Sequence, residues 1–246
     1  MKAVHRFSSL ACLCASLAIF GLTACRSRTE NAERPAAGAT ETPLPPVADA
    51  SIRRVVVLGD SLTAGLGLSP KEAFPTVLQE LIDDAGFKFT VVNAGISGDT
   101  SAGGLARLDW ALDRDVRVLI VALGGNDGLR GLPTTQLARN LSEIIERAQA
   151  RGIRVILAGM EAPPNYAYEY SVSFHKVYPA LAKKYRIGLV PFLLEGVGGI
   201  ARMNQPDGIH PTAEGARLVA ANVWTVLKPL LEAESRQVAR GRAAGQ

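Results

Sequence analysis

At 246 residues, 48% of them hydrophobic, the chain has apolar material for one catalytic-sized domain with a real core. Its formal net charge is +4, and removal of Lys2 and Arg6 with an N-terminal signal brings it to about +2, a balance that gives no support to nucleic-acid binding. Of three cysteines, Cys12 and Cys14 fall inside that signal, so Cys25 alone would remain, which excludes an intramolecular disulfide and a cysteine metal site.

In chain order, residues 1–24 read as an export signal: Lys2 and Arg6 precede an apolar run from about Leu10 to Leu22. The run is too short and too rich in serine for a membrane span. Leu22-Thr23-Ala24-Cys25 resembles a bacterial lipobox, in which the cysteine is acylated and becomes the new N-terminus. The plainer alternative is an ordinary small-residue cleavage site beside an incidental Cys25. Residues 25–51 turn to Ala, Thr, Glu and Pro, including "PAAGATETPLPP", and read as a disordered tether. Extended at about 3.1 Å per residue, the tether holds the domain within roughly 80 Å of an anchored Cys25.

The catalytic-sized domain is expected over 52–232. Nearly continuous apolar runs predict strands at Arg53–Gly59, Lys88–Ala94, Val116–Gly124, Ile153–Gly159 and Ile187–Phe192, each buried on both faces. Helical spacing occupies 71–85, 101–112, 134–150 and 168–185. In the third of these, Leu137, Leu141, Ile144, Ile145 and Ala148 share one face. A last helix starts behind Pro211 with Thr212 as N-cap, and the polar residues 233–246 are expected to fray as a tail. Alternating strands and helices predict an α/β fold, a parallel sheet with helices on both sides.

Ligands of such sheets sit at the carboxyl ends of the strands. There the sequence places Gly59-Asp60-Ser61, then "AGISGDTSAGG" (Ala94–Gly104), then "GGNDGLRGL" (Gly124–Leu132), and beyond the fifth strand "DGIHP" (Asp207–Pro211). A serine hydroxyl becomes a nucleophile only with a base, a group that orients the base, and donors for the developing oxyanion. Of the three histidines, His5 is in the signal and His175 lies in a helical stretch as a surface residue. His210 remains, on a loop three residues after Asp207, where a carboxylate can fold back onto the imidazole. Read alone, Asp207-Gly208 is equally well a simple turn. The order Ser61, Asp207, His210 is one of the known orders of acyl-transfer triads, but Thr63 stands where a G-x-S-x-G elbow needs glycine. Asp60 and Asp127 read as loop hydrogen-bonding residues. The glycines form neither a Walker nor a dinucleotide fingerprint, and one histidine with scattered aspartates is no metal set, so no cofactor and no metal are expected.

Four blocks then carry a family resemblance: "GDSL" at Gly59–Leu62, "GISGDTSAGGLARL" at Gly95–Leu108, "GGNDGLRG" at Gly124–Gly131 and "DGIHPT" at Asp207–Thr212. Together they resemble the GDSL or SGNH hydrolases, over about Arg54 to Leu231, with "PPNYAYEY" and "VYPALAKKY" similar to the thioesterase I, lysophospholipase and arylesterase branch. The resemblance implies a three-layer, flavodoxin-like fold with a five-stranded parallel sheet. It also implies Ser61 as nucleophile, His210 as base and Asp207 as its partner. Ser61, Gly98 and Asn126 are its implied oxyanion donors. "GLRGLP" sets Leu129 and Leu132 around Arg130, a loop that related enzymes use in substrate binding; the plainer alternative is that these leucines cap the core. The expectation is a serine esterase for lipidic or aryl esters, with acyl-CoA thioesterase competence, tethered through Cys25 to a bacterial envelope membrane and facing the periplasm or exterior. Carbohydrate O-deacetylation and a catalytically silent tethered binding domain are the alternatives.

Overall fold

The computed structural model describes residues 53–113 and 115–244, with side chains as far as residue 236; the signal, Cys25 and the tether lie outside the described residues. Five strands, β1 (Arg53–Gly59), β2 (Phe89–Gly95), β3 (Val116–Ala122), β4 (Arg154–Ala158) and β5 (Gly188–Val190), form one sheet in the order β2-β1-β3-β4-β5. Every neighbouring pair is parallel. The expected α/β class with a five-stranded parallel sheet is therefore what the chain adopts. Val55–Leu58 and Val118–Ala122 are buried throughout, because a parallel sheet is covered on both faces. Each fully buried Leu or Ile there contributes about 1.5–3 kcal/mol relative to an exposed one. The last strand is shorter than its apolar run, since Pro191 has no N–H to extend the ladder.

Sheet order dictates the layers. The chain steps from β1 to β2 in one direction and from β2 through β3 and β4 to β5 in the other. Right-handed crossovers then put the helix α2 (Phe74–Asp84) on one face and the helices after β2, β3 and β4 on the opposite face. Accordingly α2 packs on α8 (Ala213–Ala244), while α6 (Thr134–Ala150) packs on α3 (Ser101–Ala106) and α7 (Tyr168–Tyr185).

Local chemistry sets the helix bounds. Helix α6 spans the expected residues, and all five residues of its apolar face are buried. Helix α2 starts later than its spacing suggests: Glu72 accepts from the N–H and hydroxyl of Ser69 in a turn, and Pro75 marks the first helical turn. The stretch 101–112 divides into α3 and α4 (Leu108–Ala111) at Arg107, whose guanidinium is drawn to Asp99 and the Gly59 carbonyl. Thr212 caps α8 by accepting from the Gly215 N–H at 3.3 Å. This helix continues to Ala244, past residue 232 where the sequence suggests a fraying tail. Its Glu, Arg and Ala residues are strong helix formers, and Glu234 is paired with Arg154 at 2.5 Å.

Candidate active site

The sheet reverses its winding between β1 and β3, and crevices form at such points. Ser61 emerges immediately beyond β1, at the first position of the four-residue helix α1 (Ser61–Ala64). Asp60 makes this abrupt strand-to-helix turn possible: its Oδ1 accepts from the Leu62 N–H at 3.0 Å, satisfying an orphan donor of the helix start. The flanking strands deliver the other two loops, β2 the loop with Gly98 and β3 the helix α5 (Gly125–Leu129) with Asn126.

His210 arrives from the loop before α8. Its Nε2 lies 2.9 Å from Ser61 Oγ, and its Nδ1 lies 2.7 Å from Asp207 Oδ2. A carboxylate only accepts, so Nδ1 carries the proton and Nε2 turns its lone pair to the serine hydroxyl. The loop is built by Asp207 itself, whose Oδ1 accepts from the N–H groups of Ile209 and His210, both at 3.0 Å. Gly208 sits at φ +77°, a conformation that suits glycine at the apex of this turn. The same backbone N–H groups, His210 first, hold the Asp207 carboxyl down to about 2, so it stays ionised beside the imidazole.

The β2 loop is tied at several points. Ile96 N–H donates to the Gly59 carbonyl, Arg130 Nη2 to the Gly98 carbonyl at 2.8 Å, and Asn126 Nδ2 to the Asp99 carbonyl at 2.9 Å. Gly98 is at φ +85°, a conformation that suits glycine, and with no side chain its own N–H is unobstructed. Among the described residues the N–H groups of Ser61 and Gly98 meet no protein acceptor. Asp127 is buried and receives the Ser101 N–H at 2.7 Å and the Ser101 hydroxyl at 2.5 Å, fastening α5 to α3. His175 is 58% exposed on α7 and pairs with Glu161 at 2.6 Å, as expected of a surface histidine.

Ser61, Asn126 and His210 open on a cleft of about 420 Å³. Its walls are largely apolar: Met160, Pro163 and Pro164 after β4, Phe192 and Leu194 after β5, and Ile209. Of the three loop residues assigned to substrate, Leu129 lies in this wall. Arg130 and Leu132 are not among its lining residues: Arg130 is turned to Gly98, and the Leu132 carbonyl is held by the Tyr170 hydroxyl at 3.0 Å. The walls after β4 and β5 have no periodic signal and were not legible; only the position of these loops at strand ends points to them.

The comparisons agree with this geometry. The sequence profile described as the GDSL-like lipase/acylhydrolase family matches residues 57–218, a span that contains all four loops of the site. The chain belongs to that family. The esterase TesA of Pseudomonas aeruginosa is 48% identical over 183 residues, which cover 74% of this chain and 91% of that protein. A protein of Escherichia coli named thioesterase 1, protease 1 and lysophospholipase is 38% identical over 182 residues, 74% of this chain and 86% of its own. Among solved structures, the crystal structure of TesA superposes with a TM-score of 0.70 at 46% identity, covering 72% of this chain and 99% of that one.

Proposed function

We propose that the chain is a serine esterase that cleaves lipidic or aryl carboxylic esters through an acyl-enzyme on Ser61. The observation that carries this is the hydrogen-bonded series Asp207–His210–Ser61 opening on the apolar cleft. His210 Nε2 takes the hydroxyl proton as Oγ attacks the ester carbonyl, and the imidazolium then gives that proton to the departing alcohol. Water repeats the sequence on the acyl-enzyme, and Asp207 keeps the proton-bearing Nδ1 in place through both halves. The carbonyl oxygen becomes an anion facing the N–H groups of Ser61 and Gly98 and the Asn126 amide. Its relatives bear the names esterase, thioesterase and lysophospholipase, and thioesters are open to the same attack. An exported enzyme meets membrane lipids but little coenzyme A, so esters are the assigned substrates.

The cleft walls supply the acyl preference. Each CH₂ buried there is worth up to about 0.8 kcal/mol, so lengthening an acyl chain by four carbons is expected to raise kcat/KM roughly 10²-fold. Acetyl, butyryl, octanoyl and palmitoyl esters of one alcohol measure this. A steep preference for acetyl, above all on sugar acetates, replaces the lipid assignment by O-deacetylation.

The lipobox-like Leu22–Cys25 supports a membrane tether through lipidated Cys25, with the catalytic domain on the periplasmic or outer side of the envelope. More than one acyl chain is needed for stable anchoring, and a bacterial N-terminal lipidated cysteine carries them. Cys25→Ser is expected to move the protein from membrane pellets to the soluble fraction. Unchanged pelleting with the signal still removed counts against the lipoprotein assignment.

A further inference from the structure

Asp60 is the one carboxylate in the cleft lining that neither joins the triad nor pairs with a cation or histidine, and it is 2% exposed. Capping α1 uses only Oδ1, a task that serine, threonine or asparagine performs as well without a buried charge. Burial is costly for this group: loss of water pushes its carboxyl up to about 6, against the counteracting Leu62 N–H. Its second oxygen, Oδ2, faces Asn126 Nδ2 at 3.4 Å. Gly125 leaves this oxygen uncrowded, since a Cβ there would make a tight 3.2 Å contact with Oδ2.

We propose that Asp60 is a positioning residue for the Asn126 side chain, holding the amide nitrogen toward the oxyanion site and yielding its hydrogen when the oxyanion forms. This rests on the assignment of Asn126 as an oxyanion donor. The amide nitrogen has two hydrogens. One is committed to the Asp99 carbonyl at 2.9 Å, and the other points to Asp60 across the longer 3.4 Å. Both partners accept only, so the nitrogen, not the amide oxygen, must occupy this side of Asn126. The short bond anchors the nitrogen to the Asp99 carbonyl, and the contact with Asp60 sets the direction of its second hydrogen. The long one is near the limit of a hydrogen bond, so an oxyanion takes over that hydrogen with little loss.

Asparagine at position 60 cannot do the same. With its oxygen toward the Leu62 N–H, its NH₂ meets the NH₂ of Asn126; turned over, its NH₂ meets the Leu62 N–H. One donor faces another in either case. The neutral variant also retains the shape of the site and discards a buried charge, so loss of activity is separated from loss of fold.

The experiment is a double-mutant cycle on kcat and KM with one ester, using Asp60→Asn, Asn126→Ala and the pair in the full chain. Asp60→Asn is expected to lower kcat by about 10- to 50-fold with KM little changed, and by less than about 2-fold in the Asn126→Ala background. An equal loss in both backgrounds, or Asp60→Asn turning over like the parent, overturns the proposal and leaves the role of Asn126 standing. Asn126→Ala turning over like the parent sinks the oxyanion assignment instead. Where Asp60→Asn does not fold, Asp60→Ser keeps a capping hydroxyl for the helix start, removes the carboxylate that faces Asn126, and is held to the same two outcomes.

Discussion

Ser61→Ala or His210→Ala is expected to lower kcat by about 10⁴- to 10⁶-fold, with the double variant scarcely worse than either single one. Non-additivity follows from the geometry. Oγ has its base at 2.9 Å and that base has its carboxylate at 2.7 Å, so removing one member leaves the others with nothing to activate. Asp207→Asn is expected to be severe as well, because an amide can present its NH₂ to Nδ1 and favour the wrong imidazole tautomer. Steady-state turnover and labelling by a fluorophosphonate probe check this together: the parent labels rapidly, Ser61→Ala not at all, His210→Ala slowly. Near-parent turnover by His210→Ala ends the triad assignment, since the other described histidine, His175, is occupied by Glu161 on the surface. A parent protein that resists the probe turns the reading to a silent binding domain.

The fold was legible because burial leaves a dense record. A strand covered on both faces must be apolar at nearly every position, and Val55–Leu58 and Val118–Ala122 are. A helix with one buried face must repeat at its own period, and Leu137 to Ala148 do. What escaped has no such period. Helices α1 and α5 are four and five residues long, too short to repeat anything. The run of α8 beyond residue 232 is propensity without an apolar face, and composition alone does not separate it from a tail.

The site divides along the same line. Residues with reactive chemistry stand out by type and by position at strand ends, and the structure brings Ser61, Asp207 and His210 into contact. Residues that shape space do not stand out. Met160, Pro163 and Phe192 meet across the cleft from two loops nearly thirty residues apart, a neighbourhood that only the closed sheet creates. Within "GLRGLP" the sequence does not say which side chain faces the cleft: Leu129 lies in its wall, while Arg130 turns to the Gly98 carbonyl and the Leu132 carbonyl is held by Tyr170. Asp60 was readable as a loop hydrogen-bonding residue; its burial against Asn126 depends on β1 and β3 being neighbours.

Asn126→Ala is expected to lower kcat by about 10²- to 10³-fold while KM changes little, a loss of roughly 3–4 kcal/mol in the transition state. In the proposed mechanism its amide is one of three donors around the place where an attacked carbonyl oxygen becomes negative. A ground-state carbonyl gains little from it, so substrate affinity is mostly preserved. The same side chain donates to the Asp99 carbonyl at 2.9 Å, and alanine also frees that end of the β2 loop. The loop keeps its bonds from Ile96 to Gly59, from Arg130 to Gly98 and from Arg107 to Asp99, so the Gly98 N–H proposed as an oxyanion donor retains its setting. The split between kcat and KM separates the two roles. A loosened loop misplaces substrate and raises KM; a missing oxyanion donor lowers kcat alone. A selective rise in KM at constant kcat, measured on a fast aryl ester and on a lipidic ester alike, makes Asn126 a ground-state binding group and leaves the oxyanion to the two backbone N–H groups.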